Sequence, residues 1–223
     1  MQAQTARETN LGLIALALSG LLFALGIILR GPVELDDPGA CCRAAPSAGY
    51  VSGWTIILVG GVLHLFGLFG LYRYLTDRRG NAFALPALVL AVVGVALVIP
   101  LATFLAVHGP VIADLYQQGA RQVIAVAEAS FRSALGLALV GVSSACGTIG
   151  AFLFAVAIWR DGRLPRWTGV SFALSVALLA VPVTFGTELL GAVLLLIAAA
   201  VMWWKGYVAN GIGADGSGNS SSA

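Results

Sequence analysis

Charge is scarce in this chain of 223 residues: 10% are Asp, Glu, Lys or Arg, against about 25% in an ordinary soluble domain. That scarcity disfavours a water-soluble fold. Lysine occurs once, as Lys205 at the end of an apolar run, which excludes a retinal Schiff base inside a bundle. Cysteine occurs three times. Cys41 and Cys42 are adjacent and Cys146 sits in an apolar run, so a disulfide framework is excluded. No Cys-x-x-Cys or His-x-x-x-His spacing exists, and no zinc or iron–sulfur site is expected. Asp37-Pro38-Gly39-Ala40 precedes Cys41, well past the apolar run, which argues against lipoprotein acylation there. No basic run is long enough for nucleic acid.

What is present is apolar length. The chain is 59% hydrophobic, and a bilayer-crossing helix needs about 20 mostly apolar residues. Six stretches fit or nearly fit: 11–29, 51–74, 84–107, 134–158, 168–185 and 188–204. In hydrocarbon every backbone N–H must be satisfied within its own segment, so each is read as a helix. The fold class expected is therefore all-α: a polytopic bundle over residues 1–205, with a flexible cytoplasmic tail at 206–223. The first run could be a signal peptide, but its 19 residues exceed the usual apolar core and only Arg7 precedes it. An uncleaved helix is expected.

Orientation follows the basic residues. With the N-terminus inside, Arg7, Arg73, Arg78, Arg79, Arg160, Arg163, Arg166 and Lys205 are inside, while Arg30, Arg43, Arg121 and Arg132 are outside. Glu34, Asp36, Asp37, Asp114, Glu128 and Glu188 fall outside. Both termini are expected in the cytoplasm. Residues 108–133 read as an amphipathic outer helix: Val123, Ile124, Ala127 and Phe131 share one face, and Glu128 and Arg132 pair on another. Thr187 is the expected N-cap of the last span, with Glu188 in its first turn. Residues 95–104 resemble 176–185, each with a proline at matched depth (Pro100 and Pro182). This is either a repeated hairpin of the transporter kind or chance similarity.

Among candidate site residues His64 leads. It lies within roughly 3 Å of the middle of its span, and shares a face with Gly60 and Gly67. Small residues mark close helix packing, so His64 should face the bundle. It could be a proton relay, a ligand contact or a haem ligand; alternatively it is a neutral imidazole bonded to a neighbouring helix. His108 lies about 19 Å from the centre of its own span, so the two histidines cannot bracket one haem. No acid lies at the depth of His64, which removes a Ser-His-Asp hydrolase. Ser143, Ser144 and Thr148 add hydroxyls, expected to bond carbonyls one turn back or to line a path. On the outer side, Glu188, His108, Arg121 and Arg132 form a candidate vestibule, with 108–133 as its lid and a basic group from it beside Glu188. The alternative is an outer helix lying on lipid.

The segment Trp159-Arg160-Asp161-Gly162-Arg163-Leu164-Pro165-Arg166-Trp167-Thr168-Gly169 resembles the four-to-five hairpin of a broad group of bacterial six-helix membrane proteins of unknown function. Gly67 to Arg73 and Val98 to Ala102 are similar to the end of their second helix and to their proline-bearing third. The resemblance covers about 50–205, and implies a topology but no activity. No catalytic, cofactor-binding or metal residue is expected. The expected function is a non-enzymatic accessory, sensory or structural subunit; the alternative is a small transporter with a cavity near His64. Expected partners are membrane lipid and a membrane protein or second copy, not nucleic acid.

Overall fold

The structure, a computed structural model, describes residues 2–32, 47–77, 81–180 and 184–215. Every described element is a helix: α1 (Gln2–Arg30), α2 (Ala48–Thr76), α3 (Ala84–Gln117), α4 (Gln122–Arg132), α5 (Ala134–Asp161), α6 (Arg166–Ala180) and α7 (Phe185–Asp215). Five have a stretch long and apolar enough to cross a membrane: Glu8–Arg30, Ala48–Thr76, Ala84–Gln117, Ala134–Asp161 and Phe185–Val208. Large side chains such as Phe66 (62% exposed) and Phe152 (60%) face outward. Monomeric soluble proteins rarely expose so much contiguous apolar surface.

Apart from the short α4, the helices close a ring. Leaving α4 aside, each of α1, α2, α3, α5 and α6 packs on the helix that follows it, and α7 returns to α1. Between helices in lipid there is no hydrophobic driving force, so close van der Waals fit must hold the ring. Glycine supplies the fit. A Cβ on Gly12 would lie 2.4 Å from the Gly70 Cα, one on Gly53 2.5 Å from the Arg30 nitrogen, and one on Gly150 2.5 Å from the Ala91 nitrogen. The centre of the ring is filled by Phe154, Phe172, Leu16, Leu68, Leu195 and Met202, all fully buried.

Several boundaries differ from the sequence expectation. The fifth span, expected at 168–185, is α6 of 15 residues ending at Ala180, about 22 Å long at 1.5 Å per residue. Phe185 opens α7 instead of closing that span. Thr184, not Thr187, caps α7: its Oγ1 accepts from the Thr187 N–H at 3.2 Å, while the Thr187 hydroxyl donates to the Thr184 carbonyl at 2.8 Å. The last helix runs on to Asp215, past residue 206 where the tail was expected to begin. Residues 108–133 are not one outer helix. Span three continues through Pro110 to Gln117, the chain turns at Gly119 (φ +96), and only α4 is separate. That φ favours glycine. The Cys41–Cys42 pair, the acids at 34–37 and Pro182 lie outside the described residues, as do the Glu128 and Phe131 side chains.

Candidate functional site

His64 is where the sequence places it, inside the bundle and 5% exposed. The Ser19 hydroxyl donates to the Leu16 carbonyl at 2.7 Å, so its oxygen is left to accept from His64 Nδ1 at 3.2 Å. That network assigns the proton to Nδ1. The imidazole stacks within 5° of the Phe172 ring, centroids 6.3 Å apart, and Phe23 lies at 5.9 Å. Phe154 meets Phe172 edge-on at 6.0 Å. His64 thus ties α2 to α1 by a hydrogen bond and to α6 by a ring face. His64→Leu is expected to cost under about 1.5 kcal/mol, since shape is nearly kept and Ser19 keeps its carbonyl. Gly67→Leu should cost more, because a Cβ there would meet the Leu16 Cα at 2.7 Å; Gly60 faces only side chains, at 3.1 Å or more. Thermal unfolding in detergent ranks the two variants, and His64→Leu as the worse would contradict this packing.

The serines of α5 do not bond one turn back. Ser143 donates to the Gly94 carbonyl on α3 at 2.8 Å, and Ser144 to the Ala180 carbonyl on α6 at 2.9 Å. Neighbouring positions on a helix point about 100° apart, so adjacent serines reach opposite neighbours. Ala180 is the last described residue of α6, and Ser144 bonds its carbonyl from a neighbouring helix. Thr148 and the free thiol of Cys146 are half-buried on the same helix. The hydroxyls of Ser175 and Thr168, both fully buried, bond carbonyls within their own segments.

The outer vestibule is not assembled from the expected residues. His108 is exposed and rests against the Phe104 ring at 4.7 Å. Arg121 and Arg132 are exposed, and α4 packs on α3 and α5. Val123, Ile124 and Ala127 are half-buried, and Ile124 packs on the cluster of Tyr50, Trp54, Ala102, Ala106 and Ala113. The amphipathic face therefore lies on the protein, but α4 does not bring a cation to Glu188. Arg30 does so instead. Arg30 and Glu188 form an ion pair with side chains 6% and 11% exposed. The Arg30 guanidinium also lies over the Trp54 ring, 4.6 Å from its centroid. Arg30 closes α1 and Glu188 sits in the first turn of α7, so both charges suit their helix dipoles. Among the described residues Arg30 Nε and Trp54 Nε1 are buried without an acceptor. The signal in sequence was that Arg30 and Glu188 are each a lone charge bordering an apolar run. That signal cannot say which run faces which.

At the opposite end of the bundle, Gly162 (φ +72) stops α5 in the left-handed conformation that glycine tolerates. Arg163 then turns inward. Its Nε donates to both Asp161 oxygens, at 3.0 and 2.8 Å, its Nη2 donates to the Tyr74 carbonyl, and its guanidinium lies 4.4 Å from the Tyr74 ring centroid. Partial burial works against the Arg163 charge. The hydrogen bond and charge of Asp161, aided by Tyr74 and Asp77, outweigh it and raise its pKa above the ordinary arginine value. Leu164 buries in the core, and the Trp159 indole donates to the Arg166 carbonyl at 2.8 Å.

A ring of long apolar helices with outward-facing aliphatic surface and a polar-bonded interior defines a multi-pass α-helical membrane protein. No protein-family model, no curated protein and no solved structure matches the chain.

Proposed function

We propose that the chain is a six-span protein of a bacterial inner membrane, with both termini cytoplasmic, acting as a non-enzymatic accessory, sensory or structural subunit. The observation that carries this reading is the filled ring centre. His64 is enclosed by Phe23 and Phe172 and spends its Nδ1 proton on Ser19, while the Ser143 and Ser144 hydroxyls join neighbouring helices. These polar groups act as links between helices. Six crossings are supported by the meeting of the chain's two ends: a Cβ on Gly206 of α7 would lie 3.4 Å from Leu13 and 3.7 Å from Asn10 of α1. The hairpin at 159–169 supports kinship with bacterial six-helix proteins of unknown function.

The test is aqueous accessibility. With the three native cysteines replaced by serine, His64→Cys in intact membranes is expected to resist a charged, membrane-impermeant maleimide. Rapid labelling from either side would reveal a water-filled path and move the reading to a small transporter. Reporter fusions at residues 80 and 165 are expected to read cytoplasm, and an extracytoplasmic signal at either would overturn the orientation.

A further inference from the structure

The α5–α6 hairpin carries the same residue pair on each arm, in mirror order: Trp159-Arg160 leaves α5 and Arg166-Trp167 enters α6. The left-handed turn at Gly162 brings the arms back together, and the bond from the Trp159 indole to the Arg166 carbonyl ties them. The arginines between these tryptophans have different fates. Arg163 is consumed by Asp161 and Tyr74. Arg160 and Arg166 are exposed, and among the described residues neither has an acidic partner. Arg160 is steadied over the Phe83 ring, 5.1 Å from its centroid. Trp159 and Trp167 are 50% and 47% exposed beside them, and Trp204 and Tyr207 (59% and 57%) are exposed near the far end of α7, which returns to this side.

Exposed indoles of this kind settle at the boundary between acyl chains and headgroups. A guanidinium at that depth meets phosphate, which it can bind with two parallel N–H donors. Two guanidiniums that have no acidic partner among the described residues, flanked by two indoles, match a ligand that is anionic at one end and apolar at the other. We propose that the mouth of the α5–α6 hairpin, through Arg160 and Arg166 with Trp159 and Trp167, binds the headgroup of an anionic phospholipid. The proposal rests on the membrane-spanning reading above.

The test uses the full chain purified in detergent and titrated with dioleoylphosphatidylglycerol, dioleoylphosphatidylcholine or inorganic phosphate, with bound lipid counted by native mass spectrometry. Phosphatidylglycerol is expected to bind more tightly than phosphatidylcholine, and inorganic phosphate is expected not to compete. Replacing one exposed arginine should weaken phosphatidylglycerol by about fivefold, and Arg160→Gln with Arg166→Gln by about thirtyfold, with phosphatidylcholine, whose choline already offsets its phosphate, weakened less. Arg121→Gln with Arg132→Gln removes the same charge at the other end and should leave the ratio intact. Three outcomes would overturn the proposal: equal binding of the two lipids by the wild type, an unchanged ratio in Arg160→Gln with Arg166→Gln, or full competition by inorganic phosphate. Failure of the chain to enter vesicles at all would instead remove the membrane reading, and this proposal with it.

Discussion

Glu188→Ala is expected to destabilise the protein by about 3–5 kcal/mol, because it strands the buried Arg30 charge. Arg30→Ala should cost a similar amount by stranding Glu188. The pair has little water to fall back on, at 6% and 11% side-chain exposure, and Trp54 can offer the guanidinium only its ring face. Replacing both partners with apolar side chains of similar size, Arg30→Met with Glu188→Leu, should recover most of the loss, since desolvation and attraction disappear together. Thermal unfolding of the two single variants and the double variant in one detergent measures the coupling. Additive losses would show that the pair is solvated and that this end of the bundle is held by something else.

The second large effect separates two glycines that look alike in sequence. A Cβ on Gly94 would sit 2.6 Å from the Gly147 nitrogen and 2.7 Å from its Cα, backbone atoms that cannot step aside. A Cβ on Gly147 would meet nothing nearer than a Val176 methyl at 3.8 Å. Gly94→Ala should therefore push α3 off α5, stretch the bond from Ser143 to the Gly94 carbonyl, and cost about 1–3 kcal/mol. Gly147→Ala should be neutral or slightly stabilising, since alanine removes backbone freedom from the unfolded chain. The comparison needs only expression level and melting temperature of the two variants. Equal tolerance would mean that the α3–α5 contact is looser than these distances imply.

Much of this architecture can be read along the chain. An apolar run of span length has to become a helix wherever water is absent, so helix existence, and most helix starts, follow from composition alone. The inward aim of His64 follows from its glycine-bearing face, and Val123, Ile124 and Ala127 mark the buried side of α4 by their period. Helix ends were harder. The Thr184 cap, a contact only three residues long, is the local signal that makes Phe185 the first residue of α7 and not the last of α6. The tie from Ser144 to Ala180 marks the same boundary through a contact formed only in the fold.

The sequence by itself determined that this chain is built of long apolar helices, where its charges gather and which residues face inward, because each of these depends on neighbours within one or two turns. Only the tertiary structure decided that α7 closes the ring on α1, that adjacent serines of α5 hold different helices, and that Glu188 is paired with Arg30 and not with α4. Those are choices among partners far apart in the chain. In a sequence of near-identical apolar helices, the choice is made by the few places where glycine lets backbones touch and by the few buried polar groups that must find one another.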